Sequence, residues 1–215
     1  GNPGANAIEA VRQMVAEQEP ALVARFGNTP RHPYFVFVHA DRAQLPDSLA
    51  ANLHEDSPGF ALLGTHQVHL VWDEMRRTGS NLRGVVVHEL VHELLDQFVA
   101  PHGALIPRWF HEGLAQTIAG DTYLGAREDE IVWRIPTGRL LAFGELRQRF
   151  PSDTEALRLA YAQSYSYVAW LVNRYGFDGV LAVAAATDGL TSFERALAGH
   201  AGVSTLDLET DWKDH

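Results

Sequence analysis

Two histidines four residues apart, with a glutamate beside the first, form a pattern that suits a metal ion. They are His88, Glu89 and His92 in the run His-Glu-Leu-Val-His. On a helix this spacing brings both imidazoles to one face, one turn apart, and lets Glu89 project toward a nearby water molecule. Zn²⁺ prefers tetrahedral nitrogen and oxygen ligation, and a catalytic site keeps three protein ligands and one water. The pattern predicts a hydrolytic zinc site and requires a third ligand, unless an amphipathic helix carries these residues by chance.

The segment that follows offers a candidate for the third ligand. Residues 107–115 read Pro-Arg-Trp-Phe-His-Glu-Gly-Leu-Ala, and nineteen residues separate Glu112 from His92. A helix, a tight turn and an antiparallel helix occupy that length, so Glu112 can lie over the two histidines. His111 is the alternative ligand, but neighbouring helical residues point about 100° apart, so only one of the two can face the ion. Gln116, one turn later, either orients a ligand or is an exposed helical residue.

Composition restricts the class of protein and the kind of metal site. The chain has 215 residues, of which 46% are apolar, and a formal charge of −10. The apolar fraction is sufficient for a packed core, and the acidic balance argues against a nucleic-acid partner. Cysteine is absent, so a metal must be bound by histidine and carboxylates. The chain contains eleven histidines, which makes a metal site more expected but also makes a chance occurrence of the motif more frequent.

The first 75 residues predict a packing helix and a small sheet. A helix is expected over 5–26, with a break or restart at Pro20, and the run 34–38 is typical of a buried strand. Residues 41–53 are helical or irregular, and a strand pair is expected at 60–63 and 67–72.

From about Asn81 the hydrophobic period becomes helical. Leucines and valines form one apolar stripe that ends before Pro101, and this helix carries His88 and His92. A second helix is expected from Pro107 to about residue 119. Residues 121–139 read as turn-rich, with a solvated acidic loop at 128–130. Further helices are predicted at 140–150, 153–175 with a stop at Gly176, 177–187, 191–200 and 204–212.

These elements predict an α+β protein with a small N-terminal β-sheet, an active-site helix and a mainly helical C-terminal lobe. Residues 1–215 are expected to form a single domain. The sheet and the motif helix would occupy about 1–100, and the helical lobe about 101–215. The two candidate ligand segments then lie at the junction of the two lobes.

The two motifs resemble those of the gluzincin metallopeptidases. The sequence is most similar to small bacterial peptidase MA-like domains, in which H-E-x-x-H is followed by P-x-W-x-x-E-G-L-A, here residues 107–115. The metzincin pattern does not fit, because Leu95 and Phe98 stand where it requires glycine and histidine. The resemblance implies a zincin-like fold, a Zn²⁺ cofactor and a peptide or protein substrate. It further implies that the metal ligands are His88, His92 and Glu112, and that Glu89 is the general base.

The resemblance extends from about residue 60 to the end of the chain. The run 161–171 is similar to a family helix whose leading tyrosine contacts the oxyanion in zinc aminopeptidases, which implies a catalytic role for Tyr161, with Tyr165 as second choice. By their pattern alone these tyrosines read as core residues. The segments 193–197 and 202–206 resemble the closing helices of the family.

Other observations bear on substrate and activity. The run 59–64 lacks the acidic residue that binds the free amine in zinc aminopeptidases, so aminopeptidase specificity is not expected. Residues 60–71 are a candidate edge for substrate binding by strand addition. His66 and His69 in this region are interpreted as structural rather than as a second metal site. The alternative function is a non-catalytic binding domain of the same fold, and a further alternative is a helical scaffold with incidental histidines.

Little in the sequence addresses the compartment. No apolar run is long enough for a membrane span. The chain begins Gly-Asn-Pro-Gly rather than with Met, so an upstream signal stays open. Lack of cysteine suits a bacterial exported protein, periplasmic or secreted, although it also occurs in cytoplasmic ones.

Overall fold

The order of helices and strands follows the change of hydrophobic period along the chain. The structure, a computed structural model, describes residues 4–27, 32–50, 53–54, 56–120, 123 and 128–215. In these ranges the strands are β1 (Phe35–His39), β2 (Gly59–Leu62) and β3 (Gln67–Val71). The helices are α1 (Ala5–Arg25), α2 (Asp47–Ala50), α3 (Trp72–Thr78), α4 (Leu82–Val99), α5 (Arg108–Ala119), α6 (Glu128–Thr137), α7 (Thr154–Ala185), α8 (Phe193–Ala201) and α9 (Thr205–Lys213). The predicted α+β class with a helical C-terminal part is confirmed.

The three strands form one sheet in the order β1-β3-β2. β1 runs parallel to β3, and β2 runs antiparallel to β3. Val68 and Leu70 on β3 are buried in the core against α4. Because β3 lies in the middle of the sheet, the proposed substrate edge at 60–71 is wrong for β3, and among the described residues of that range β2 is the edge strand.

β1 is half exposed, contrary to the prediction of a buried strand. Phe35 and Phe37 are 63% and 41% exposed, whereas Val36 and Val38, which alternate with them, are partly buried and pack against the core. Phe37 is in register with His69, which is in register with Phe60, and the two phenyl rings stack on the imidazole at 4.9 and 4.7 Å between centroids. An apolar run alone does not distinguish a strand buried on both faces from one buried on a single face.

α1 continues through Pro20, so the predicted break is wrong. A proline removes one backbone hydrogen bond from a helix. The turn beyond it is held by packing: Leu22 is buried, and the ring of Phe26 lies 6.1 Å from that of Phe98 on α4 and 5.8 Å from that of Phe177. These tertiary contacts offset the lost hydrogen bond.

α4 and α5 pack against each other, and α5 also packs closely on α7. Asn81 caps α4 by accepting a hydrogen bond from the backbone N–H of Arg83. At Gly113 on α5, a Cβ atom would lie only 2.3 Å from the carbonyl oxygen of Ser164 on α7. The close approach of these two helices therefore requires glycine directly after Glu112.

Two segments of the C-terminal half differ from their predictions. Residues 140–150 form turns rather than a helix. Their backbone makes hydrogen bonds to another element: the carbonyls of Leu146 and Arg147 accept hydrogen bonds from the first N–H groups of α5. Conversely, α6 begins at Glu128, where a turn-rich segment with an acidic loop was predicted.

The remaining helical predictions agree with the structure. Gly176 interrupts α7 with φ of 75°, at the predicted stop, and the chain resumes helical geometry to Ala185. In the described part of the chain no helix combines the length and apolarity needed to cross a membrane. That residues 1–215 form a single domain stays a prediction.

Candidate metal centre

Three buried side chains from α4 and α5 converge on one point. Nε2 of His88 lies 3.1 Å from Nε2 of His92 and 3.2 Å from Oε2 of Glu112. Nε2 of His92 lies 3.4 Å from the same oxygen, so the three atoms form a triangle. Ligand bonds of ~2.0–2.1 Å in a tetrahedron place the ligand atoms about 3.3 Å apart. The three atoms therefore have the spacing that a single tetrahedral ion requires and could hold one metal ion.

His111 does not join this group, although it stands beside Glu112. Within the described residues, the three atoms above form the one set of potential ligand atoms with mutual spacing that suits an ion. The ring of His111 lies 5.7 Å from that of His92, and burial lowers its pKa to about 3. His111 is therefore a neutral, buried histidine beside the candidate ligand group.

Glu89 is buried next to the candidate ligands, and its carboxyl accepts hydrogen bonds from two sides. Its Oε1 accepts a hydrogen bond of 2.8 Å from the hydroxyl of Tyr123, and its carboxyl also accepts one from the backbone N–H of Ala61 on β2. Burial raises the pKa of Glu89 to about 7, against the lowering effects of His92, Tyr123 and Ala61. A carboxyl that titrates near neutrality can both accept and return a proton.

Tyr123 is a site residue that sequence reasoning missed. Its ring stacks on that of His88 at 4.0 Å between centroids, and its hydroxyl lies 3.1 Å from the carbonyl oxygen of Gly59 as well as close to Glu89. It belongs to the segment 121–139, which has no hydrophobic period and no motif, so no signal in this single sequence identified it.

Gln116 links three parts of the site through their backbones. Its side chain donates to the carbonyls of Glu112 and Tyr161 and accepts from the N–H of Tyr123. It is fully buried, so the interpretation as an exposed helical residue is wrong. Gln116 thus orients the backbone around the ligand helix rather than a ligand side chain.

The Glu112 carboxyl is strongly stabilised in its ionised form. Burial has the largest single effect and would raise its pKa, but the charge of His92, hydrogen bonds with His88 and His92, and the charge of Arg108 together hold the pKa well below its usual value. Nε of Arg108 lies 3.3 Å from Oε1 of Glu112, the oxygen that does not face the histidines. Glu112 therefore offers an anionic oxygen to a cation.

Tyr161 lines the same cavity as His88, His92 and Glu112, whereas Tyr165 is not among the described lining residues. The hydroxyl of Tyr161 accepts a hydrogen bond from Arg108. Burial raises its pKa above the usual value, so the hydroxyl keeps its proton and can donate it.

A cavity of about 580 Å³ gives access to these groups. Its lining includes the edge strand β2 with Leu63, and also Arg108, Arg147 and the 3₁₀ helix Gly103–Leu105. The cavity thus joins a potential metal centre, a buried carboxyl, a protonated tyrosine hydroxyl and the edge strand β2.

The histidines of the strand region have structural partners, as predicted. Nδ1 of His66 lies 2.9 Å from Oε1 of Glu93, and Nδ1 of His69 lies 2.9 Å from Nε2 of His39. Asp96 accepts a hydrogen bond from the N–H of Gly64. The acids of α4 therefore hold the turn between β2 and β3 against the helix that carries the ligands.

Comparison with known proteins is consistent with this geometry. A protein-family model described as the Peptidase MA superfamily matches residues 21–215, which is most of the chain. No curated protein and no solved structure matches the sequence significantly.

Proposed function

The chain belongs to the Peptidase MA superfamily, and on that premise we propose that it is a zinc metallopeptidase of the gluzincin type. The observation that carries the proposal is the triangle of His88, His92 and Glu112 ligand atoms, with sides of 3.1–3.4 Å, beside the buried carboxyl of Glu89. Family membership supports a peptidase-like protein, and the donor set supports its dependence on a metal.

The two imidazole nitrogens and one carboxylate oxygen would hold the ion, and this mixed set suits Zn²⁺. When bound, Zn²⁺ supplies a Lewis acid that acidifies water and polarises a carbonyl group. Glu112 brings a negative charge to the centre, and its second oxygen is held by Arg108. This contact orients the carboxylate toward the histidines.

Glu89 is the proposed general base. Its carboxyl accepts a proton from the attacking water and returns it to the amine that leaves, which a pKa of about 7 in the metal-free site allows near neutral pH. The hydrogen bonds from Tyr123 and Ala61 fix the carboxyl between α4 and the strand β2. The base is therefore positioned relative to both the ligand helix and the wall of the cleft.

Tyr161 is the proposed donor to the oxyanion that forms at the scissile carbonyl. Its hydroxyl is protonated and accepts a hydrogen bond from Arg108, so its own proton is directed elsewhere. A donor in a water-poor cavity stabilises developing charge strongly.

The substrate would add as a strand to β2. β2 is the edge of the sheet, and Gly59 to Leu63 line the cavity that contains the metal group. Main-chain hydrogen bonds along such an edge bind an extended peptide without regard to its sequence.

The direct test is Glu89→Gln. We expect the variant to retain stoichiometric zinc but to lose hydrolysis of a quenched fluorescent peptide mixture by at least about 100-fold, since the base is removed. Hydrolysis at the rate of the unmodified protein would contradict the proposal. A zinc-loaded, folded protein without peptidase activity before mutation would favour the non-catalytic binding domain instead.

A further inference from the structure

Two arginines, Arg108 and Arg147, line the cavity that β2 also lines. Arg108 begins α5, four residues before Glu112, and Arg147 lies in the turn segment that follows α6. The backbone N–H of Arg108 donates to the carbonyl of Arg147 over 2.7 Å, so the two residues are neighbours in space. We call this pair the arginine wall.

The charge of the cavity differs from that of the protein. The chain carries a net charge of −10, yet the carboxylates among the described lining residues are Glu89 and Glu112 alone. Glu112 already contacts His88 and His92, and Glu89 is bonded to Tyr123. With a divalent ion bound, the positive charge of the ion and the two guanidinium groups exceeds the negative charge of Glu89, Glu112 and the Glu194 that pairs with Arg147. Both carboxylates among the described lining residues already have partners, so neither is available to a substrate amine. The excess positive charge would instead attract a substrate anion.

Both guanidinium groups retain capacity for a further partner. Arg108 contacts Glu112 and Tyr161, but guanidinium has five N–H donors and this side chain is 43% exposed. Arg147 forms an ion pair with Glu194 and is 32% exposed. Each arginine is therefore anchored by an acid on one side and accessible on another.

The donors available to an anion are side chains and not the helix terminus. The first N–H groups of α5, at Arg108 and Trp109, already donate to the carbonyls of Arg147 and Leu146. Guanidinium groups bind carboxylates with charge-assisted and often bidentate hydrogen bonds. We propose that the arginine wall binds a carboxylate of the substrate, either the C-terminal carboxylate or an acidic side chain near the scissile bond. This inference rests on the proposed peptidase function and assigns its substrate class.

The test measures binding separately from hydrolysis. The zinc-loaded Glu89→Gln variant is titrated calorimetrically with matched short peptides: one with a free C-terminal carboxylate, its carboxamide, and carboxamides that carry Glu or Gln at successive positions. We expect a carboxylate to tighten binding by about 10-fold or more, as for a charge-assisted hydrogen bond. A preference for the free terminus identifies the C-terminal source, and a preference for Glu over Gln identifies the side-chain source.

Substitution of the wall supplies the second arm. In the same background Arg147→Gln should remove most of the preference, while Arg147→Lys should keep part of it because the charge remains. Arg149→Gln is the matched control, since Arg149 is exposed in the same segment and is not among the described lining residues. Zinc content and thermal unfolding verify that each variant is folded.

The two proposals fail separately. Equal binding of carboxylate and amide peptides, or a preference that survives Arg147→Gln, overturns the carboxylate subsite, whether or not the protein before mutation cleaves peptides. A preference that is lost in Arg147→Gln supports the subsite even if no cleavage is ever detected, in which case only the peptidase proposal fails.

Discussion

The hydroxyl of Tyr123 donates to Oε1 of Glu89 across 2.8 Å while its ring stacks on His88 at 4.0 Å. One side chain therefore contacts both the proposed base and a proposed metal ligand. Gln116 holds the backbone N–H of Tyr123 from α5. This arrangement couples the state of the base to the position of a single tyrosine.

Tyr123→Phe should shift the activity to higher pH. The hydrogen bond favours the ionised carboxylate, so its loss raises the pKa of Glu89, and Glu89 must be ionised to accept a proton. We expect the acidic limb of the pH profile of kcat/KM to shift to higher pH, and kcat to fall by about 10-fold. The control is Tyr165→Phe, the same change at a tyrosine that is not among the described lining residues. An unchanged profile in Tyr123→Phe would show that this contact does not tune the base.

Removal of Glu112 should abolish tight metal binding, whereas removal of its neighbour should not. Glu112→Gln loses the anionic ligand, and we expect metal affinity to fall by more than about 100-fold. His111→Gln should retain metal, because His111 lies outside the group of converging ligand atoms. Competition with a chromophoric chelator measures both affinities. A larger loss in His111→Gln than in Glu112→Gln would assign the ligands differently.

Gly113→Ala should destabilise the fold. The added Cβ would lie 2.3 Å from the carbonyl oxygen of Ser164, so α5 and α7 must separate, at a cost of about 2 kcal/mol in the free energy of unfolding. Gly199→Ala is the matched control: Gly199 lies in α8 with no atom within 4 Å of its Cβ position, and we expect a gain of about 0.5–1 kcal/mol. Urea unfolding in the presence of a chelator measures both without a contribution from metal. Equal effects would rule out close packing as the role of Gly113.

His69 should make the stability of the sheet depend on pH. Burial, with a smaller effect from His39, lowers its pKa from 6.5 to about 4. Between these values the unfolded chain binds more protons than the folded one, so the contribution of His69 is complete above pH 6.5 and is lost as the pH falls toward 4. His69→Phe, which keeps a ring between Phe37 and Phe60, should flatten this part of the stability profile.

The comparison for His69→Phe is Phe35→Leu, a change on the same outer face that removes no titratable group. Both variants are unfolded in urea with chelator between pH 4.5 and 7.5. We expect the slope of unfolding free energy against pH to decrease in His69→Phe only. The same slope in His69→Phe as in the unmodified chain would show that His69 is not a source of the acid sensitivity.

The local pattern of residues predicted the elements that carry the site. The four-residue spacing of His88 and His92 sets their common face, because helical geometry depends on hydrogen bonds between near neighbours in the chain. Gly120 and Gly176 end or interrupt helices where predicted, through their positive φ angles. Helix length and turn length allowed Glu112 to reach the two histidines, and the family resemblance implied that it is the third ligand.

Only the tertiary structure decided how the site is completed. Tyr123, the contacts of Arg108, and the burial that raises the pKa of Glu89 all depend on segments distant in sequence. Contacts between remote segments also explain two differences from the predictions. Residues 140–150 form turns because two of their carbonyls accept hydrogen bonds from α5, and the packing of α1 offsets the hydrogen bond lost at Pro20. Hydrogen bonds and burial between remote segments leave no periodic pattern in a single sequence. Sequence reasoning therefore predicts the candidate ligands, whereas tertiary folding determines the groups that surround them.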